Sequence, residues 1–211
     1  MKLRTAALLA TMLLAGCRHR GDITDDAGVY AVRSACPIAG VPAATGDITL
    51  FNPANSTDSR AIDVTATISD VRAVCQESAT EVVSTATFTI TALRRDAGAA
   101  RQVILPYFDV ALQGAGKIAA KKVGQAALVF PAGGLHAWTR VEATIRVNRA
   151  ATALPESARV ALTARRKPGE VEANIDPMSD PAVRNAVANA TFEHLVGFQL
   201  TQDQLKYNAT R

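Results

Sequence analysis

The chain has 211 residues, 48% of them hydrophobic and 5% aromatic, with a formal charge of +4. That length suits one core of ordinary size, and the composition builds it from Val, Ile, Leu and Ala, which argues against aromatic platforms for stacking sugars or bases. Lys2 and Arg4 belong to the N-terminal leader; without them 23 basic residues less two stand against 19 acidic ones, a balance of +2 that is too small for a nucleic-acid binder.

Met1 to Arg4 carries two positive charges, and Thr5 to Ala15 is an almost unbroken apolar run of Ala, Leu and Met. A run of about ten residues cannot cross a hydrocarbon core that needs ~20 residues of helix, and it reads as a signal-peptide core. It ends in Leu14-Ala15-Gly16-Cys17: an aliphatic residue, two small residues that fit a peptidase cleft, then cysteine. This segment resembles the lipobox of bacterial lipoproteins. The resemblance implies removal of residues 1–16, diacylglycerol on the Cys17 thiol, acylation of the new amino terminus, and a lipid anchor in the membrane. Arg18 follows the cysteine where retention in the inner membrane favours Asp, so the implied location is the outer membrane, facing the periplasm.

With Cys17 assigned to lipid, Cys36 and Cys75 remain as an even pair in a chain exported to an oxidising compartment, and a disulfide is expected between them. Closing a loop of about 40 residues contributes up to about 4 kcal/mol on the chain-entropy model. A zinc site lacks ligands, because His19, His136 and His194 show no metal-like spacing to either cysteine. Neither a metal nor another cofactor is expected.

Residues 17–35 are polar, with Gly21, Asp22, Asp25, Asp26 and Gly28 and no sustained period, and are read as a tether. Residues 36–178 are read as the folded domain. Pro37, Gly40 and Pro42 mark an irregular lead-in loop, and Ile48, Leu50 and the Asn52-Pro53 turn suggest a first strand. Period-two alternation follows in Ile62 to Ile68, in Val82 to Ala92 with Thr85, Thr87, Thr89 and Thr91 between the apolar positions, and in Val141 to Val147. Gln102 to Leu112 is apolar at both parities and reads as a strand covered on both sides. Pro106 within it cannot donate to a ladder and predicts a bulge or a locally unpaired edge. Two short strands, Ile118 to Val123 and Ala126 to Phe130, and a last strand at Val160, Leu162 and Ala164 complete the pattern.

About eight short strands with turn signals between them predict a mainly β, antiparallel sandwich. The pattern resembles the immunoglobulin-like or fibronectin-like sandwiches of proteobacterial envelope lipoproteins, although Trp138 lies beyond Cys75 and no functional residue carries over. Residues 179–211 are read as a helical appendage folded back on the sandwich. Asp180-Pro181 forms a cap and first-turn proline, Val183, Ala186, Val187, Ala190 and Leu195 share one helical face, and Thr201 to Gln204 has the form of a capping box.

Chemistry-bearing clusters are scarce. Gln113 to Lys117 lacks the first glycine of a phosphate loop and reads as a hairpin turn. Nucleophilic hydrolysis needs a base within reach of Ser or Cys, and His136 in a turn and His194 on the expected helix supply none. Asp25-Asp26, Glu170 and Glu172 lack the alternation of a calcium loop. The doublet Arg94-Arg95 and the run Arg165-Arg166-Lys167 read as solvated edge charges. Trp138 with His136 is the best candidate for a contact patch. The sequence therefore points to a lipid-anchored, non-enzymatic envelope module with an envelope-protein partner. The alternative is a hydrolase or carbohydrate-binding protein acting on cell-wall or surface glycan, with its site in loops at one sandwich end.

Overall fold

A computed structural model describes residues 34–114, 116–164, 169 and 175–210. Cys17, the leader, the tether as far as Arg33, the Arg165-Arg166-Lys167 run, Glu170 and Glu172 lie outside the described residues. Ala35–Arg211 forms the compact unit. Its strands are β1 (Ile38–Gly40), β2 (Asp47–Phe51), β3 (Ile62–Glu77), β4 (Glu81–Arg94), β5 (Arg101–Gln113), β6 (Lys117–Phe130), β7 (His136–Asn148) and β8 (Phe192–Phe198). They make two four-stranded sheets, ordered β2-β3-β4-β7 and β1-β8-β5-β6. All neighbours are antiparallel except β1 and β8. The expected mainly β sandwich is what forms, and the Cys36–Cys75 disulfide is present.

The alternating strands bury one face each. Val64, Ala66 and Ile68 of β3, Phe88 and Ile90 of β4, Val103 and Leu105 of β5, and Leu128 and Phe130 of β6 meet in a common core, because successive side chains of a strand point to opposite faces. Residues 117–130 form one strand where a break was expected. Gly124, which falls between the two expected strands, is the cross-strand partner of Tyr107, whose ring fills the space of a side chain: a Cβ at Gly124 would lie 2.3 Å from Tyr107 Cζ. Pro106 is accommodated as expected. Its carbonyl accepts from Gln199 N at 2.9 Å, just past the end of β8 at Phe198, so its missing N–H lies on the β8 side beyond that strand's last residue, and Pro106 stays in register opposite Gln125 of β6. The bulge lies elsewhere in β5, between Ala111 and Leu112.

Two elements differ in kind. The expected strand at Val160, Leu162 and Ala164 is a helix, α1 (Glu156–Thr163). Pro155 stands at its N-cap, Glu156 pairs with Arg159 one turn on, and Ala158 is the buried position; over so short a segment the apolar residues fit either period. The helix α2 (Pro181–Asn189) starts as expected, with Asp180 accepting from Ala182 N at 2.8 Å and proline in the first turn, but it stops before Phe192. Phe192, His194, Val196 and Phe198 then alternate inward in β8, a strand between β1 and β5. The boundary at residue 178 therefore does not separate a sandwich from an appendage, since the sandwich includes a strand from beyond it. The final helix α3 (Gln202–Thr210) opens with the expected capping box: Gln204 N donates to Thr201 Oγ1 at 3.2 Å and Thr201 N to Gln204 Oε1 at 3.0 Å.

Arg94 is a further correction, because it is buried rather than a solvated edge charge. Its guanidinium donates to the carbonyls of Gly134 (2.6 Å), Ala99 (2.9 Å), Gly98 and Pro131 (both 3.1 Å), and lies 5.4 Å from the centre of the Phe130 ring. One side chain thus satisfies carbonyls of both the β4–β5 and the β6–β7 connections. Arg94→Met should lower stability by about 3 kcal/mol, given ~1.5 to 3 for a hydrogen bond to a charged group and the unpaired carbonyls left behind. Arg94→Lys should recover less than half, since an ammonium cannot reach four acceptors spread in a plane. Urea denaturation of the three proteins measures both effects.

Candidate functional site

The core holds one polar layer. Ser84 of β4, His194 of β8 and Asp109 of β5 all point inward and are buried. Ser84 Oγ lies 2.9 Å from His194 Nδ1, and His194 Nε2 lies 2.8 Å from Asp109 Oδ1. A proton on Nε2 donates to the Asp109 carboxyl, and Nδ1 shares a hydrogen bond with the Ser84 hydroxyl. Lys122, the cross-strand partner of Asp109, donates from Nζ to Thr144 O at 2.9 Å. Burial, and secondarily the charge on Asp109, pushes the Tyr107 phenol above its ordinary range.

The layer separates two apolar clusters. Ala86, Phe88, Leu105, Val196 and Phe198 belong to the larger cluster on one side; Val82, Ala111, Ile145, Val147 and Phe192 form the smaller one on the other. Each participating strand reads apolar, polar, apolar at its inward positions. Sequence reasoning placed His194 on a helix and found no base near a serine, whereas the structure brings Ser84, His194 and Asp109 together in the order of a nucleophile, base and acid. The signal was available in three inward-facing polar residues within alternating runs. The geometry lacks access for chemistry: a hydroxyl between two sheets, with apolar clusters on both sides, cannot meet an acyl group and attacking water.

On the outside of the β2-β3-β4-β7 sheet, His136 and Trp138 lie two residues apart on β7, opposite Leu93 and Thr91 of β4. Trp138 is 72% exposed. His136 opens the strand instead of sitting in a turn. Elsewhere on this sheet, α3 packs against β2: Tyr207 meets Phe51 edge-on with centroids 5.2 Å apart, and Asn208 Nδ2 donates to Asp47 O and Ala44 O at 2.7 and 3.0 Å. Beside this contact runs a groove of about 1080 Å³, with Phe51, Tyr207, Asp63, Arg101, Asp203 and Lys206 among its lining residues. Arg101 donates through both terminal nitrogens to Asp63 at 2.6 and 2.7 Å. That hydrogen-bonded pairing holds the Asp63 carboxyl below its ordinary range and raises the guanidinium. Thr49 Oγ1, at the groove floor, is buried without a hydrogen-bond partner.

Among the described residues no cluster of His, Cys, Asp and Glu has the makings of a metal site, and no helix is long and apolar enough to cross a membrane. In comparisons with protein-family models, curated proteins and solved structures, the chain matches none.

If the layer is a structural bridge, removing one member should cost more than removing two. His194→Leu strands a buried carboxylate and should destabilise by about 3 to 5 kcal/mol. Combining it with Asp109→Leu should cost less than the sum of the single changes, because the stranded charge disappears. Ser84→Ala should cost about 1 to 3 kcal/mol for an unsatisfied ring nitrogen. A double-mutant cycle in denaturant gives all of these values.

Proposed function

We propose that the protein is a lipid-anchored, non-enzymatic module of the bacterial cell envelope that works by contact with another envelope protein. The observation that carries this reading is the burial of the Ser84–His194–Asp109 set. The arrangement that would otherwise suggest hydrolysis lies within the core, where its hydrogen bonds join two sheets. The Cys36–Cys75 disulfide suits an exported chain, and the lipobox-like leader supplies Cys17 as the point of attachment. Trp138 and His136 offer a contact patch on the outside of the sandwich; exposed aromatic residues are the side chains that most often anchor protein interfaces.

Two measurements test this together. Cys17→Ala should move the chain out of the outer-membrane fraction, since the thiol is the attachment point for lipid; continued sedimentation after a high-salt wash would overturn the anchor. A fluorophosphonate, which derivatises activated serines, should leave Ser84 unmodified in the native protein by mass spectrometry. Stoichiometric labelling of Ser84 would overturn the non-enzymatic reading.

The groove beside α3 favours a second reading, recognition of cell-wall glycan. Two rings, a bidentate Asp63–Arg101 pair and a net balance of charge among Asp63, Asp203, Arg101 and Lys206 suit an uncharged polyol with apolar ring faces. Its position is the side of the sandwich between β2 and α3, in contrast to the end loops anticipated from sequence. Retention of the wild-type chain on insoluble peptidoglycan, with loss of retention in Tyr207→Ala, would support it; equal recovery of both proteins in the unbound fraction would remove it.

A further inference from the structure

The two outer faces of the sandwich differ in chemistry. On the β2-β3-β4-β7 sheet the outward positions include Thr65, Thr67, Thr85, Thr87, Thr89 and Thr91, with Arg72 on β3 and Arg140, Glu142 and Arg146 on β7, and its exposed large apolar side chains are Val74, Leu93 and Trp138. This is the ordinary composition of a solvated sheet face. The β1-β8-β5-β6 sheet presents Ile38, Ile104, Ile118, Val123 and Val129, each more than half exposed. Register places all five on the outer side. Val123 pairs with Phe108, Ile104 with Ala127, Val129 with Gln102 and Ile118 with Leu112, while Ile38 pairs with Glu193, which itself pairs with Leu112. Phe108 spreads over Gly197, where a Cβ would meet its ring at 2.6 Å, so β8 makes room for a broad apolar surface. Exposed Gln102, Lys121 and Gln125 stand among these aliphatic side chains, but five large apolar residues gathered on one outer face still mark a surface that something covers.

We infer that this face lies against the lipid bilayer in which the chain is anchored. The inference rests on the reading of Cys17 as lipidated. The position of the chain's lead-in supports it: the described structure begins at Ser34, Cys36 is tied to Cys75, and the chain then enters β1, the edge strand of this apolar sheet. Ile38 is on the face itself and only 21 residues beyond Cys17, a reach of at most about 70 Å. A lipid anchor on this tether keeps the sandwich within about 70 Å of the bilayer, and the apolar sheet is the one whose edge strand the chain enters first. The face carries charge of both signs, with Glu193 in the row of Ile38, Leu112 and Ile118 and Lys121 beside Val123. Lys121 stands on the face with its ammonium 5.5 Å from the Phe108 ring centre, an apolar stem with a cationic tip that suits an anionic head group. The threonine face then points to the aqueous side and carries Trp138 outward, away from the membrane.

The chain's single tryptophan makes the test direct. The full-length protein is purified from envelopes and reconstituted in vesicles of phosphatidylethanolamine and phosphatidylglycerol, with and without brominated acyl chains that quench indole on contact. In the wild type, Trp138 emission should be unchanged by bromination. In Val123→Trp combined with Trp138→Phe, emission should fall about twofold. Unchanged emission at position 123, with acyl chains found on Cys17 by mass spectrometry, would overturn the inference while leaving the anchor intact. Unquenched but iodide-shielded indole at 123, accompanied by a cross-linked dimer, would overturn it in favour of a second copy on the face. If Cys17 carries no acyl chains, the anchor reading fails by itself. The same two proteins, freed of the leader and coupled through the Cys17 thiol to a maleimide lipid in the vesicles, then decide the orientation by the same quenching.

Discussion

The hydrogen-bonded layer of Ser84, His194 and Asp109 is the constraint on which the rest of the sandwich depends. Apolar contacts between sheets are tolerant of small shifts, but a buried carboxylate and imidazole are not, because each unpaired polar atom in a low-dielectric interior costs far more than a slightly misplaced methyl. The layer fixes the offset of β4 against β5 and β8 at one place, and the alternation then determines every other inward position. A one-residue slip in any of the three strands would turn its polar member outward and its outward residues into the core. Residues 110 apart in sequence are joined in this way, so the layer also determines which distant strand completes the second sheet.

β8 occupies its inner position for the same reason. It is the last strand in the chain, follows two helices, and carries His194 between Phe192 and Val196. Without it β5 would lose a neighbour along Tyr107 to Gln113, β1 would lose the strand it pairs with, and Asp109 would be a buried charge with no imidazole beside it. At the far end of the sandwich, Arg94 performs a related task for loops in place of strands. Its planar guanidinium collects carbonyls from two connections that would otherwise be buried without donors, and the Phe130 ring covers one side of it. Both devices use a polar side chain to satisfy what the backbone geometry leaves over, and both lie where β4 carries a polar residue at an inward position.

Much of this was legible in the sequence. Strict alternation in β3, β4 and β7 reported which side chains face inward, the cysteine count predicted the disulfide, and Asp180-Pro181 and Thr201 to Gln204 announced two helix starts. What could not be read locally was tertiary. Val183 to Ala190 has a helical period that happens to extend to Leu195, so the change to period two at Phe192 was hidden, and with it the environment of His194. The two strands expected at Ile118 to Val123 and Ala126 to Phe130 are one, because the place of Gly124 between them is set by Tyr107 on the neighbouring strand. The segment around Val160 was too short for its period to decide. Arg94 looked like a charged edge because nothing in an Arg-Arg doublet reveals that four carbonyls from two other loops converge on one of them.

The unequal outer faces follow from the same economy of residue types. A chain with few aromatics makes its core from branched aliphatics, and a sheet facing water then needs its other positions filled by residues that keep strand propensity without being apolar. Threonine does this on β3 and β4. On β5 and β6 the outward positions mix Gln102, Lys121 and Gln125 with the exposed aliphatics Ile104, Ile118, Val123 and Val129, although threonine would have served the strand equally well at these last four. Strand formation therefore does not explain them, and neither does the core, from which they point away. Their aliphatic character is explained by contact with an apolar medium or surface outside the sandwich. The sheet that carries it is the one whose edge the chain enters directly after Cys36.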